Sequence, residues 1–179
     1  MRLVSVNVGL PRTVTLMRRS VLTAFFKEPV SGAIPLSSLG LQGDTQADPK
    51  VHGGPAKAVY LYPFEHYAYW SAVLGRTDLM PGAFGENFTT EGLLEPETRL
   101  GDVFAVGSAV LRVTKPRRPC AKLGLRMGSL NFVRVFAAAG RTGFYLSVVE
   151  EGSVEKGDAI TRIATDPARP TVAEVFAGR

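Results

Sequence analysis

The sequence predicts a mainly β domain whose strands close into a barrel or sandwich, with a few short helices. Three observations carry this: short runs rich in β-branched and aromatic residues, turn residues or charge bounding each run, and a tight glycine-containing link between two of them. In order, the runs are "LVSVNVGL" (3–10), "TVTLM" (13–17), "VLTAFF" (21–26), "DVFAV" (102–106), "AVLRVTK" (109–115), "GFYLSVVE" (143–150) and "AITRIA" (159–164). Gly107-Ser108, between the fourth and fifth, fits a two-residue hairpin turn with glycine first. A Gly-Asp pair recurs at Gly43-Asp44, Gly101-Asp102 and Gly157-Asp158, and the last two lead directly into strands; this is turn chemistry, not a repeat of domain size.

Two helices interrupt the strands. "PFEHYAYWSAVL" (63–74) opens on proline, which suits a first helical turn, and aligns Tyr67, Trp70, Ser71 and Leu74 on one face. That aromatic face is expected in the core, and His66 is expected to be a partly exposed surface histidine. "SLNFVRVFAAAG" (129–140) carries apolar residues at 130, 133, 136 and 137 and stops at Gly140. Further on, Thr171 and Glu174 have the capping-box spacing for a short terminal helix. The expected organisation is one β domain over residues 1–165 and a short tail over residues 166–179.

Composition narrows the function. With 179 residues, 45% hydrophobic and 21% charged, the chain suits one domain with a sizeable core. A single cysteine excludes an internal disulfide and a cysteine-ligated iron–sulfur cluster, and points to a reducing, cytoplasmic location. The opening residues read as a strand rather than a signal peptide, and no run approaches the ~20 apolar residues of a membrane span. A formal charge of +5 and a pI near 9.6 favour an anionic partner, but the excess is mild for a nucleic-acid binder. Arg18-Arg19 reads as a solvated turn, whereas the basic cluster from Lys115 to Lys122 suits a small phosphate-bearing ligand. No two glycines stand two positions apart, which removes the G-x-G-x-x-G dinucleotide fingerprint, and no G-x-x-x-x-G-K phosphate loop exists.

The one cysteine stands in "PRRPCAKLG" (116–124). Composition alone would make it a small core hydrophobe. Lys115, Arg117, Arg118 and Lys122 argue otherwise, because cationic side chains rarely go fully inside unless paired, and nearby cations favour the reactive thiolate. Pro116 and Pro119 each fix one φ and remove one donor, so the segment leaves the strand and is held stiffly. Two further stretches are unusual. In "VHGGPAKAVYLY" (51–62), Gly53 and Gly54 let backbone approach a ligand closely and Lys57 follows within reach of an anion, although a plain tight turn explains the glycines equally well. In "PGAFGENF" (81–88), Glu86 and Asn87 form a polar tip, and an asparagine can donate and accept at once.

Taken together, H-G-G-x-x-K-A, G-x-x-G-E-N and P-R-x-P-C, in this order and spacing, resemble the MOSC domain family in its small bacterial single-domain form, over about residues 1 to 165. The resemblance implies a MOSC-type β-barrel, a molybdenum–pyranopterin cofactor bound through Cys120, and, as in several relatives, reduction of N-hydroxylated compounds such as purine bases by oxygen removal. On this reading Cys120 is the metal ligand, and Lys57, Arg117 and Arg118 hold the pterin phosphate with help from the Gly53 and Gly54 amides. His52 and Asn87 then contact pterin, oxo group or substrate, and Glu86 orients them. Electrons would come from a separate reductase or small redox protein. Two departures stand out: longer bacterial relatives carry a helical C-terminal extension of which this chain keeps only the first turns, and Ala121 replaces an aromatic residue frequent after the cysteine. A sulfur carrier with a Cys120 persulfide is the main alternative, and a cysteine hydrolase with His52 as base is a third.

Overall fold

The computed structural model describes residues 1–16, 18–45 and 53–178. Its centre is an eight-stranded mixed sheet: β1 (Arg2–Val8), β4 (Glu28–Val30), β7 (Val59–Pro63), β8 (Phe88–Glu91), β9 (Val103–Val106), β10 (Ala109–Pro116), β11 (Phe144–Glu150) and β13 (Ile160–Ala164). These lie in the order β13-β9-β10-β11-β7-β8-β1-β4. A two-stranded ribbon, β2 (Arg12–Leu16) with β3 (Arg19–Thr23), and a small sheet of β5 (Ile34–Ser37), β6 (Gly40–Leu41) and β12 (Gly152–Val154) complete the β structure. Four short helices follow: α1 (Glu65–Leu74), α2 (Ala121–Arg126), α3 (Phe132–Ala138) and α4 (Val172–Phe176). None among the described residues is long and apolar enough to cross a membrane.

All seven expected strands are present, but the barrel is not closed. β4 pairs with the Val6–Val8 half of β1, so the other edge strand meets β1 only near its start, where Leu3 N donates to Asp158 O at 2.9 Å and Arg2 bridges Ala159. The result is a sheet curled far round without a complete final ladder. Val106 pairs with Ala109, leaving Gly107-Ser108 as the two-residue link that the sequence predicts. The third strand ends at Thr23 rather than Phe26, because the Thr23 hydroxyl accepts from Phe25 N at 3.1 Å and turns the chain out of the ladder. That departure sends Ala24 to Lys27 into a cleft wall.

β7 pairs parallel with β8 and antiparallel with β11, and all five of its residues are buried. Val59 and Leu61 face the sheet's aliphatic core, whereas Tyr60 and Tyr62 join an aromatic core with Tyr67, Trp70, Phe84 and Phe136 under the helices. Burial on both faces removes the polar alternation by which a strand is recognised, so this strand left no periodic signal.

His66 is a correction. The expected surface histidine is 3% exposed, with Nε2 2.8 Å from Glu95 Oε2 and Nδ1 3.0 Å from Arg141 Nη1. A carboxylate partner brings it inside. Glu95 Oε1 also accepts from Gly143 N at 2.7 Å, while Tyr60 and Tyr62 donate their hydroxyls to Thr142 O and Arg141 O. Gly143 has φ 66°, and a Cβ there would collide with the Leu61 carbonyl oxygen. Gly143→Ala is therefore expected to destabilise the fold by more than the ~1–2 kcal/mol of the left-handed backbone alone, as read by chemical denaturation. An unaltered midpoint would refute the crowding.

At the far end, the capping box forms as predicted: Glu174 N donates to Thr171 Oγ1 at 3.2 Å and Thr171 N to Glu174 Oε2 at 2.7 Å. Val172 N donates to Thr98 O, and the Val172 side chain is fully buried, so α4 is fastened to the main body.

Candidate functional site

The site is built where β10 ends. Pro116 still pairs with Phe144, and then the chain leaves the sheet for four residues before α2 begins. Cys120 is the N-cap of α2, half-buried, with its carbonyl accepting from Leu123 N at 3.0 Å and no side-chain capping bond. It opens into a cleft. Opposite walls come from Thr23–Phe25 with Lys27, from Asp44-Thr45, and from Lys57, Ala58 and Tyr60 with Tyr145.

Charge in the cleft is strongly one-sided. Among the described residues its lining holds five cationic side chains, Lys27, Lys57, Arg117, Arg118 and Lys122, against one carboxylate, Asp44. Asp44 is already committed: Lys27 Nζ lies 2.5 Å from each of its oxygens, Asn87 Nδ2 donates to Oδ2 at 2.9 Å, and Gly9 N donates to Oδ1 at 2.8 Å. Burial pushes the Lys27 ammonium down, and Asp44 opposes the shift.

Arg117 is the least expected feature. The sequence places it among exposed cations, yet it is 2% exposed, with its guanidinium 4.8 Å from the Tyr60 ring, 5.5 Å from Phe25 and 5.7 Å from Phe136. Burial opposes its charge, but the oxygens of Tyr60 and Tyr145 and the Cys120 thiol favour it, and the net shift is upward. Among the described residues Nη1 has no hydrogen-bond partner and no carboxylate pairs with the group. Ring faces and the Tyr145 hydroxyl hold the buried cation, and an anion at Nη1 would complete its hydrogen bonding. Its backbone N donates to Gly143 O at 3.1 Å, so the Glu95-bonded turn fixes where the guanidinium stands.

The remaining predicted residues take distinct places. Lys57 ends a 3-10 turn, Pro55–Lys57, with Nζ 6.0 Å from the Tyr145 ring centre. Gly54 has φ 85° and its carbonyl accepts from Lys57 N, while Gly53 and Gly54 are not among the lining residues. Arg118 is exposed and stands 5.8 Å from the Phe176 ring of α4. Asn87 lines the cleft, but its Oδ1 accepts from Tyr60 N at 3.1 Å and its Nδ2 serves Asp44, so it ties walls together. Glu86 is fully buried and not in the lining; it accepts from Tyr67, Gly82 N, Phe84 N and Thr89, and burial raises its carboxyl above the ordinary range. His52 lies outside the described residues.

Lys27, Asp44, Tyr60 and Tyr145 belong to the site although the sequence reading passed over them. A signal existed for Asp44: of the three Gly-Asp pairs, only Gly43-Asp44 does not lead directly into a strand. Asp44→Ala, which strands the buried Lys27 charge, is expected to lower stability by about 3–5 kcal/mol, and Lys27→Met/Asp44→Leu to recover most of it. Equal losses in the single and double variants would contradict this account.

A curled β sheet that carries a half-buried thiol beside a predominantly cationic cleft defines the class of domain. Residues 48–161 match the family described as "MOSC domain", and the chain belongs to that family. MOSC domains are associated with the molybdenum cofactor. The Bacillus subtilis (strain 168) protein YflK is 43% identical over 153 residues, covering 86% of this chain and 69% of YflK. A Gibberella moniliformis protein named "Reductase" is 33% identical over 144 residues, which are 79% of this chain and 26% of that protein. The crystal structure of YiiM from Geobacillus stearothermophilus superimposes with a TM-score of 0.81 at 32% identity, covering 98% of this chain and 81% of YiiM.

Proposed function

We propose that this protein is an oxidoreductase that holds a molybdenum–pyranopterin cofactor at Cys120 and removes oxygen from N-hydroxylated small molecules. One observation carries the reading: a half-buried thiol shares its cleft with a buried guanidinium whose Nη1 lacks a partner among the described residues. The residues fit the group. A soft thiolate suits a transition metal, and an anionic phosphate would satisfy the open Arg117 Nη1.

When bound, the cofactor supplies a two-electron centre that accepts the substrate oxygen. This chain's residues do the rest. Pro116 and Pro119 hold the Cys120 segment stiffly as it enters α2. Arg117, Lys57 and Lys122 neutralise the anion, with Arg118 at the edge. Burial raises the Tyr60 and Tyr145 phenols, and both flank the guanidinium, Tyr145 with a hydrogen bond to it. Substrate N–O cleavage consumes two electrons and two protons and releases water; the electrons come from a separate reductase or redox protein, since the chain has no dinucleotide fingerprint. Protein made in a cofactor-producing host should contain molybdenum and a pterin that fluoresces after oxidation, and should reduce an N-hydroxylated purine with a reduced dye. Folded protein free of both molybdenum and pterin would overturn the proposal.

A further inference from the structure

The positive surface does not stop at the cleft. Lys122 lines it, and Arg126 lies four residues along α2, on the same face and about 6 Å further on. The Arg126 guanidinium is 5.2 Å from the centre of the Phe26 ring, and Arg12 of β2 stands over the same ring at 3.4 Å. Two like charges are thereby gathered at one aromatic side chain. Arg126 gives one hydrogen bond to Lys27 O at 3.4 Å, and neither arginine forms an ion pair among the described residues. Burial and then the Arg12 charge disfavour the Arg126 guanidinium, while Glu86 and Glu28 act in its favour from beyond contact. Burial and mutual repulsion both oppose this arrangement, and a bound anion would relieve both.

We propose that Arg126 and Arg12 form a second anion subsite beside the cleft, which together with Lys122 and Arg117 takes a linear phosphoanion, a di- or triphosphate group with charge spread along its length. The molybdenum reading is not required for this. If it is right, a probe that spans both subsites binds more tightly than one that fills only the first.

Isothermal titration with inorganic phosphate and with tripolyphosphate tests the proposal. The wild type is expected to bind tripolyphosphate at least about tenfold more tightly than phosphate, and R12Q/R126Q to lose that preference while keeping its phosphate affinity. Arg12 is exposed, so R12Q alone reads the same effect, as a severalfold loss, should the double variant not fold. Loss of phosphate and tripolyphosphate binding in equal measure would reduce the pair to a general field, and retention of the preference in R12Q/R126Q would make it a packing contact; either overturns the subsite, as does a wild type indifferent to chain length. Titration with ADP against pyrophosphate identifies the source: tighter ADP binding assigns the subsite to a nucleotide, and tighter pyrophosphate binding to an inorganic chain.

Discussion

Cys120→Ala protein loaded in a cofactor-producing host is expected to fold normally and to lose reduction of an N-hydroxylated purine by more than about 100-fold, beyond what losing a mere outer partner of a metal costs. Cys120→Ser sharpens the test. Cys120 occupies an N-cap without a side-chain capping bond, a position where serine is among the preferred residues, so the serine variant should be as stable as the wild type or more so by about 0.5–1 kcal/mol. A hydroxyl is nonetheless a harder and far less acidic ligand, and activity should fall with stability intact. The thiol thus occupies a place that helix capping would give to another residue. Near-normal turnover of a folded Cys120→Ala protein would remove both the molybdenum assignment and the sulfur-carrier alternative. Sulfur bound to Cys120 as a persulfide, seen in the intact mass without molybdenum or pterin, would favour the carrier.

Arg117→Met should separate binding from stability in opposite directions. The guanidinium is buried against three rings with no carboxylate partner among the described residues, and replacing such a charge by an apolar side chain of similar length is often neutral or stabilising. The variant is expected to melt no lower than the wild type and to retain less than about one tenth of its pterin, because a charge-assisted bond to the anion is gone. Measurement of pterin fluorescence per protein beside the melting curve decides this: full pterin content in Arg117→Met would show that the anion is held elsewhere in the cleft.

How far these features were visible beforehand depended on what each needed from distant parts of the chain. The seven alternating runs, the hairpin link at Gly107-Ser108 and the capping box at Thr171 are local, and each appears in place. The short strands β4, β5, β6 and β12 offered too few residues for a period, and β7 hid its period by two-sided burial. α2 was missed because Gly124 weakens a helical pattern; a Cβ there would press the Leu130 backbone at 2.9 Å, so close packing of α2 on α3 demands the glycine. Within the site, Cys120 and its cationic neighbourhood were legible as a thiol among basic residues. The burial of Arg117 was not, since its ring cage draws on Phe25, Tyr60 and Phe136, far apart in sequence. The pairing of Asp44 with Lys27, and of His66 with Glu95, likewise joins segments whose proximity only the fold creates.

The two-sided burial of β7 also bears on the order in which the molecule assembles. A strand whose alternate side chains enter two different cores gains its full stabilisation only when both have formed, and its parallel pairing with β8 adds contacts that close long loops. β7 therefore welds the aliphatic and aromatic cores into one cooperative unit, and Tyr60 on that strand lies directly beneath Arg117. Backbone amides from Val59 to Leu61 should open to solvent only when the whole domain unfolds, so the floor of the cleft is among the last parts of the protein to loosen on heating.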